Sequence, residues 1–417
     1  MYKTTAKLTT GEVNTLATHD DFEISFEEGI MGQLDFVDFL AARAETRQWM
    51  SVNLYDLVFK NISNGPLFLS TIRSDLELGA DVEDEAILST ITDGSTMGMV
   101  KGSEFAVATK DLSGGYKWEN FLLSDVALVS VANTLIGRTT MFNKLTTQNK
   151  LEALKVFLTA KEKKSIKMMK CFGKVRTFQS DDKGAKTYAI MNQEELVDTL
   201  INVLDTRFVG SDFLGAHYSH NGTIASWTLP EQKDELLEEY INTCHANGIT
   251  KMDDFIPAVT FYTSDVGMNA VTVKASLVNG NFQIDIGSAI KLDHVNGHTV
   301  KDFEERLDQL FVQYQDLVGN LTNMLKIKIE HPIGCMRHVG EEANIPSTYL
   351  EAAIETFASI HTDEDEEITA HELFYSLEEA LVEMRSAKVA DSTIEKCKEN
   401  LARTIAKSYD WKSMDRV

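Results

Sequence analysis

The sequence predicts an α+β fold: an antiparallel sheet built from hairpins, with long helices packed on one face, plus a helical C-terminal region. Three observations predict it. First, Val271, Val273, Ala275 and Leu277 alternate with Thr272, Lys274 and Ser276. After Asn279-Gly280, Phe282, Ile284, Ile286, Ile290 and Leu292 alternate with Gln283, Asp285, Lys291 and Asp293. Two period-2 runs about Asn-Gly signal a hairpin, because both turn residues tolerate positive φ. With Asn279 and Gly280 as the turn, Leu277 faces Phe282 and Val273 faces Ile286, and every apolar side chain falls on one face. Second, Phe303, Leu307, Leu310, Phe311, Tyr314, Leu317, Leu321, Met324 and Leu325 recur at helical spacing behind Thr299 and Asp302, which suit an N-cap and the third position beyond it. Third, the order hairpin then helix occurs earlier as well, at 214–246.

Taken in order, residues 1–143 read as an N-terminal α+β region. Leu34, Phe36, Val37, Phe39 and Leu40 suggest a helix, and Pro66 to Ile72 and Phe105 to Ala108 suggest strands. Asp81 to Glu85 reads as a solvated acidic loop or helix start, and Ser95, Gly98, Gly102, Gly114 and Gly115 mark turns. The apolar stretch 121–136 is too short to span a bilayer and carries Asp125 and Asn133, so it reads as a buried helix. Residues 144–180 read as a basic helix and linker. Between 144 and 176 ten lysines and arginines face two glutamates, a balance of +8 that leaves −32 for the rest of a chain of net charge −24.

Residues 181–345 read as the hairpin–helix core. Tyr188 to Ile190 suggests a short strand, and Asn192 with Glu195 a capping-box start for a helix through Leu196, Leu200, Ile201 and Leu204. A hairpin about Asn221-Gly222 follows, with Tyr218 facing Ala225 and Ala216 facing Trp227. A helix comes next, through Leu236, Leu237, Tyr240, Ile241 and Cys244. Residues 346–417 read as three helices, the second capped by Thr369 and Glu372.

Composition limits the function classes. The chain is 43% hydrophobic and 417 residues long, enough for two or three domains. Its acidity disfavours a general nucleic-acid surface but permits a local basic groove. The cysteines Cys171, Cys244, Cys335 and Cys397 form no CxxC pair, which suits ordinary thiols in a reducing cytoplasm. The N-terminal residues show no apolar signal core.

Candidate chemistry is sparse. GxxxxGK[ST], GxSxG and HExxH are absent. His361 to Glu372 has the length of a calcium loop, with Asp363, Asp365, Ile368 and Glu372 at the third, fifth, eighth and twelfth positions. His361 replaces the first aspartate and Glu366 the turn glycine, which removes a ligand and the sharp bend. His331, Cys335 and His338, His217 and His220, and His294 and His298 have metal-like spacings, none of them a complete zinc set. Asp265 is a possible acid or base, with a turn aspartate beside Gly267 as the plainer role.

Residues about 185–315 resemble the phage- and plasmid-borne domain-of-unknown-function family 932. The resemblance runs through Tyr188 to Leu196, Tyr218 to Gly222 with Trp227 to Pro230, Thr263 to Ala270, and His294 to His298. One departure stands out. Family members carry a Cys-x-Asn segment before the long helix, where this chain has Asp285-Ile286-Gly287-Ser288-Ala289. The resemblance implies a phage or mobile-element protein made in the cytoplasm of a bacterial host. Its sheet-plus-helix pattern is similar to that of phage single-strand annealing proteins, a likeness at the level of fold.

The expected function is therefore non-enzymatic binding or annealing of single-stranded nucleic acid. Lys161, Lys163, Lys164, Lys167, Lys170, Lys174 and Arg176 would line the groove for single-stranded DNA, with Phe172, Phe178 and Tyr188 near enough to stack bases. The alternative is a phage structural or host-interaction protein working through protein contacts. A metal-dependent enzyme using the histidines is a third reading. No catalytic residue, metal or cofactor is assigned, no membrane is expected, and a homo-oligomer is.

Overall fold

The computed structural model describes residues 30–416 apart from 31, 55–56, 62–104, 112–116, 124, 138–139, 161–164, 172–173, 182–186, 219–221, 268, 281, 296, 363–366 and 390. The expected strand at Pro66 to Ile72, the acidic stretch Asp81 to Glu85 and the turn residues Ser95, Gly98, Gly102, Gly114 and Gly115 lie outside the described residues.

Among the described residues, two large sheets organise the fold. Helix α1 (Gln33–Thr46) precedes the strands β1 (Gln48–Asn53), β2 (Leu57–Asn61), β3 (Phe105–Asp111) and β4 (Lys117–Leu123). Helices α2 (Asp125–Ile136), α3 (Thr140–Asn143) and α4 (Thr147–Ala160) follow, then β5 (Ser165–Cys171) and β6 (Lys174–Ser180). These strands form one six-stranded sheet in the order β1-β5-β6-β4-β3-β2, antiparallel except where β4 runs parallel to β6. Residues 144–180, expected as a basic helix and linker, thus contribute α4 and then two adjacent inner strands, β5 and β6, of this sheet. Ile166, Met168 and Phe178 point to the face covered by α2 and α4, where Val131, Leu135, Leu154 and Leu158 close a first apolar core. The stretch 121–136 divides between the end of β4 and α2; among the described residues no helix is long and apolar enough to cross a membrane.

The second lobe is a five-stranded antiparallel meander. Helix α5 (Gln193–Arg207) leads to β7 (Asp212–Tyr218), β8 (Thr223–Thr228), helix α6 (Lys233–Ala246), β9 (Ile256–Thr263), β10 (Val271–Asn279) and β11 (Phe282–Leu292). Tyr188 to Ile190, expected as a strand, is irregular chain. It is held by Tyr188 N donating to Ser180 O and Ala189 N to His294 O. Nor does Asn192 cap α5, because its amide donates to the Glu195 carboxylate instead.

The hairpins keep their expected faces and change their registers. Leu277 pairs with Ile284 and Ala275 with Ile286, two residues from expectation, because the strand continues through Asn279 and Gly280 opens the turn. Gly280 has φ +58°, the conformation the first turn residue of a tight hairpin needs. In the earlier hairpin Tyr218 pairs with Thr223 and Ala216 with Ala225, since β7 ends at Tyr218 and β8 begins at Thr223. A shift of two preserves each side chain's face, so the apolar side survives the error.

That side is covered by α7 (Val300–Met324). Thr299 and Asp302 form a complete capping box at its start. Phe303, Leu307, Leu310, Tyr314, Leu321 and Met324 are all buried. Tyr314 pins the helix to the sheet: its hydroxyl donates to Ser276 O at 2.6 Å and accepts from Ala258 N at 3.1 Å.

After α8 (Pro332–Glu342), which falls inside the region expected as hairpin–helix core, the described part of 346–417 is helical as expected, in α9 (Ser347–Ile360), α10 (Ala370–Ser386), α11 (Asp391–Ala402) and the single turn α12 (Trp411–Met414). Thr369 and Glu372 form the expected capping box. Two-residue strands β12 (Lys328–Ile329) and β13 (Ile368–Thr369) pair antiparallel and tie the connections before α8 and α10 together. The second core runs without a break from α1 through the meander to these helices.

Candidate functional site

The lobes meet through polar side chains. The apolar side chains of α1, Phe36, Phe39 and Leu40, fall on one stripe, and Arg43 continues it at helical spacing. Arg43 is therefore carried inward with them and is 3% exposed. Its guanidinium lies 4.5 Å from the centroid of the Tyr218 ring, and Nη2 donates to Asp265 Oδ2 at 2.7 Å. A second arginine arrives from the other lobe. β5 and β6 lose register where Met169 pairs with Thr177 but Lys170 pairs with Val175, which leaves Arg176 as the extra residue of a bulge. Arg176 points across the junction and donates from Nη2 to the Tyr218 hydroxyl at 3.1 Å.

The loop carrying Asp265 is clamped from the same strand. Thr177 Oγ1 and Gln179 Nε2 both donate to Val266 O, at 2.9 and 2.8 Å. Gly267 follows with φ +72°, and a Cβ there would lie 2.7 Å from both Gln179 Nε2 and Tyr188 Cε2. Glycine is thus required twice over, by backbone conformation and by space. Tyr188 stacks on His294, with centroids 5.2 Å apart and planes 7° apart, and lies beside Trp49 at 5.3 Å. Arg47 pairs with Glu194 at the rim.

Electrostatics fix the charge states. Burial would raise the Asp265 carboxyl, but Arg43, Arg176 and Arg47 outweigh it and hold it below the ordinary carboxylate range. Burial lowers His294 despite Ala189 O, Asp293 and Asp265. The imidazole is neutral at pH 7, with Nδ1–H donated to Ala189 O at 3.2 Å. Burial, then Asp265, raise the Tyr188 phenol against Arg47. A carboxylate held this acidic is a poor general base at neutral pH, where proton transfer favours a group titrating near 7. Asp265 is an anchor for arginines, and the arrangement joins two lobes.

The expected groove fares differently residue by residue. Lys161, Lys163 and Lys164 lie outside the described residues, as does Phe172. Lys167 is half-buried and donates to Tyr188 O at 2.7 Å; Lys170 is half-buried on β5. Lys174 begins β6. Arg176 is 1% exposed, so it belongs to the junction and not to an open surface. Of the three aromatics, Phe178 is core and Tyr188 is stacked inside.

Among the described residues no three histidine, cysteine or carboxylate side chains gather for a metal. His331 precedes α8, Cys335 is buried, and His338 donates from Nδ1 to Met414 O. His217 is buried on β7, while His298 donates from Nδ1 to Asp293 O; His220 lies outside the described residues. Asp363, Asp365 and Glu366 do too, and the Glu372 carboxylate caps α10.

Sequence reasoning singled out Asp265, Tyr188, Tyr218, His294 and Arg176 separately, and the fold brings them together. It passed over Arg43, whose place on the Phe36-Phe39-Leu40 stripe was the available signal. No family model, curated protein or solved structure matches the chain.

Proposed function

We propose that the protein works by binding, without enzymatic turnover, and that the first lobe holds single-stranded nucleic acid. The observation that carries this reading is charge segregation: +8 between residues 144 and 176 in a chain of net −24, still +7 with the buried Arg176 set aside. Lys144 and Lys155 are exposed, and Lys150, Lys167 and Lys170 half-exposed, on neighbouring elements of one lobe. A strand held there by phosphate contacts would release counterions, so affinity should fall steeply with salt. The resemblance of residues 185–315 to the phage- and plasmid-borne family supports a mobile-element setting for such a role.

Fluorescence anisotropy with a labelled oligothymidylate tests this. Binding at low salt that weakens with added salt, and about tenfold more in a Lys144→Glu, Lys155→Glu double variant, supports it. No binding at low salt ends it. A second reading, a phage structural or host-interaction protein, is favoured by the exposed acidic face of α6, which carries Glu238 and Glu239. Recovery in purified virions, or a large assembly in light scattering without nucleic acid, would favour that reading.

A further inference from the structure

Trp227 and Trp411 are buried in the second core, at 0% and 2% exposed. Trp49 is different. It is half-buried on β1, an edge strand of the six-stranded sheet, and among the described residues it joins neither apolar core. Strand pairing explains why. β1 and β5 set Trp49 opposite Met169 and Ser51 opposite Lys167; β5 and β6 set Met169 opposite Thr177 and Lys167 opposite Gln179. Directly paired residues share a face, and so do alternate residues along a strand. Val52, Ile166, Met168 and Phe178 therefore point to the first core. Trp49 and Lys167 point the other way, with Thr177 and Gln179, which hold Val266 O.

Two properties suit this side to a nucleobase. The first is rigidity. Trp49 lies 5.3 Å from Tyr188, which stacks on His294, so the indole rests against rings that are themselves buried. Its place is set before a ligand arrives, and little side-chain freedom is left to lose on binding. The second is charge. Lys167 Nζ donates to Tyr188 O at 2.7 Å and forms no ion pair among the described residues. A neutral carbonyl positions the ammonium without cancelling its charge. Beyond Lys167, Ser51 and Ser165 hold Asp181, which closes that end to phosphate.

An aromatic ring beside a lysine suits single strands of any sequence, because every base has a face to stack and every nucleotide a phosphate to hold. We propose that Trp49 is the stacking platform for one base of a bound single strand, with Lys167 taking the adjoining phosphate. The inference rests on the reading of the first lobe as a holder of single strands, and adds the side chain that meets the bases. Trp49 takes the role expected of Phe178 and Tyr188, both of which are buried.

Fluorescence anisotropy with two oligonucleotides of one length tests the platform: oligothymidylate, and the same backbone with abasic sites throughout. The wild type should bind the thymidylate about tenfold more tightly. Trp49→Ala should bind both alike and keep the wild-type salt dependence, since no phosphate contact is lost. Trp49→Phe should recover part of the preference. Equal affinities in the wild type, or an undiminished preference in Trp49→Ala, overturns the proposal and leaves phosphate binding standing. Binding of neither oligonucleotide ends both the proposal and the reading beneath it. Should Trp49→Ala fail to fold, photocross-linking of an iodouracil-substituted oligonucleotide to the wild type decides. A cross-link on Trp49 supports the platform; cross-links confined to other residues overturn it.

Discussion

Two buried charge centres hold this molecule, and they are built in opposite ways. At the lobe junction, arginines from α1 and β6 meet at Tyr218, and the one from α1 pairs with Asp265 in a loop fixed by a glycine and by donors from a strand. Beneath α11, Lys274 and Lys398 alternate with Asp285 and Glu395 across regular strands and a helix. In the first centre the planar guanidinium fits a carboxylate and also stacks, as Arg43 does over Tyr218. In the second, each lysine has two acceptors, so loss of one still leaves another. The junction is specific and brittle, whereas the cluster is redundant.

The largest effect should come from breaking the brittle centre. Asp265→Asn leaves the arginine pair without its charge, and loss of one partner of a buried pair costs about 3–5 kcal/mol. Urea denaturation should show that loss, with the two lobes unfolding in separate transitions; one unshifted transition would refute the junction's role. Asp285→Asn should cost less, because Lys274 and Lys398 retain Glu395; an equal loss would erase the distinction drawn between the centres.

The pH limbs sharpen the comparison further. Asp265 and Asp285 are both held low, so their contributions are present above the ordinary 3.8 and lost as pH falls through the depressed values. Each substitution should flatten the acid limb of the stability profile. The smallest effects lie outside both centres. Tyr314→Phe removes hydrogen bonds that seat α7 and should cost about 1–2 kcal/mol by thermal denaturation. Thr369→Ala removes the cap of α10 and should cost about 1 kcal/mol.

Legibility followed the range of the interaction. The capping boxes at Thr299 and Thr369 were readable because both partners lie three residues apart. The hairpin faces were readable because alternation survives a two-residue error. The registers were not, since Asn279-Gly280 and Asn221-Gly222 can sit inside the turn or at its edge. Nor did +8 between residues 144 and 176 say which cation faces outward: a bulge between β5 and β6 turns Arg176 inside.

The order of the residues by itself determined the periods, the caps and the apolar faces, hence the class of fold. These are local quantities, set by side-chain volume, backbone preference and spacing along one element. Only the tertiary structure decided where charge is buried. Lys274 and Asp285 occupy the polar side of an alternating run, and nothing within that run reveals that α11, more than a hundred residues onward, will cover it. Arg43, Arg176 and Asp265 are likewise far apart in the chain, and the attraction that fixes their charge states exists only once folding has removed the water between them.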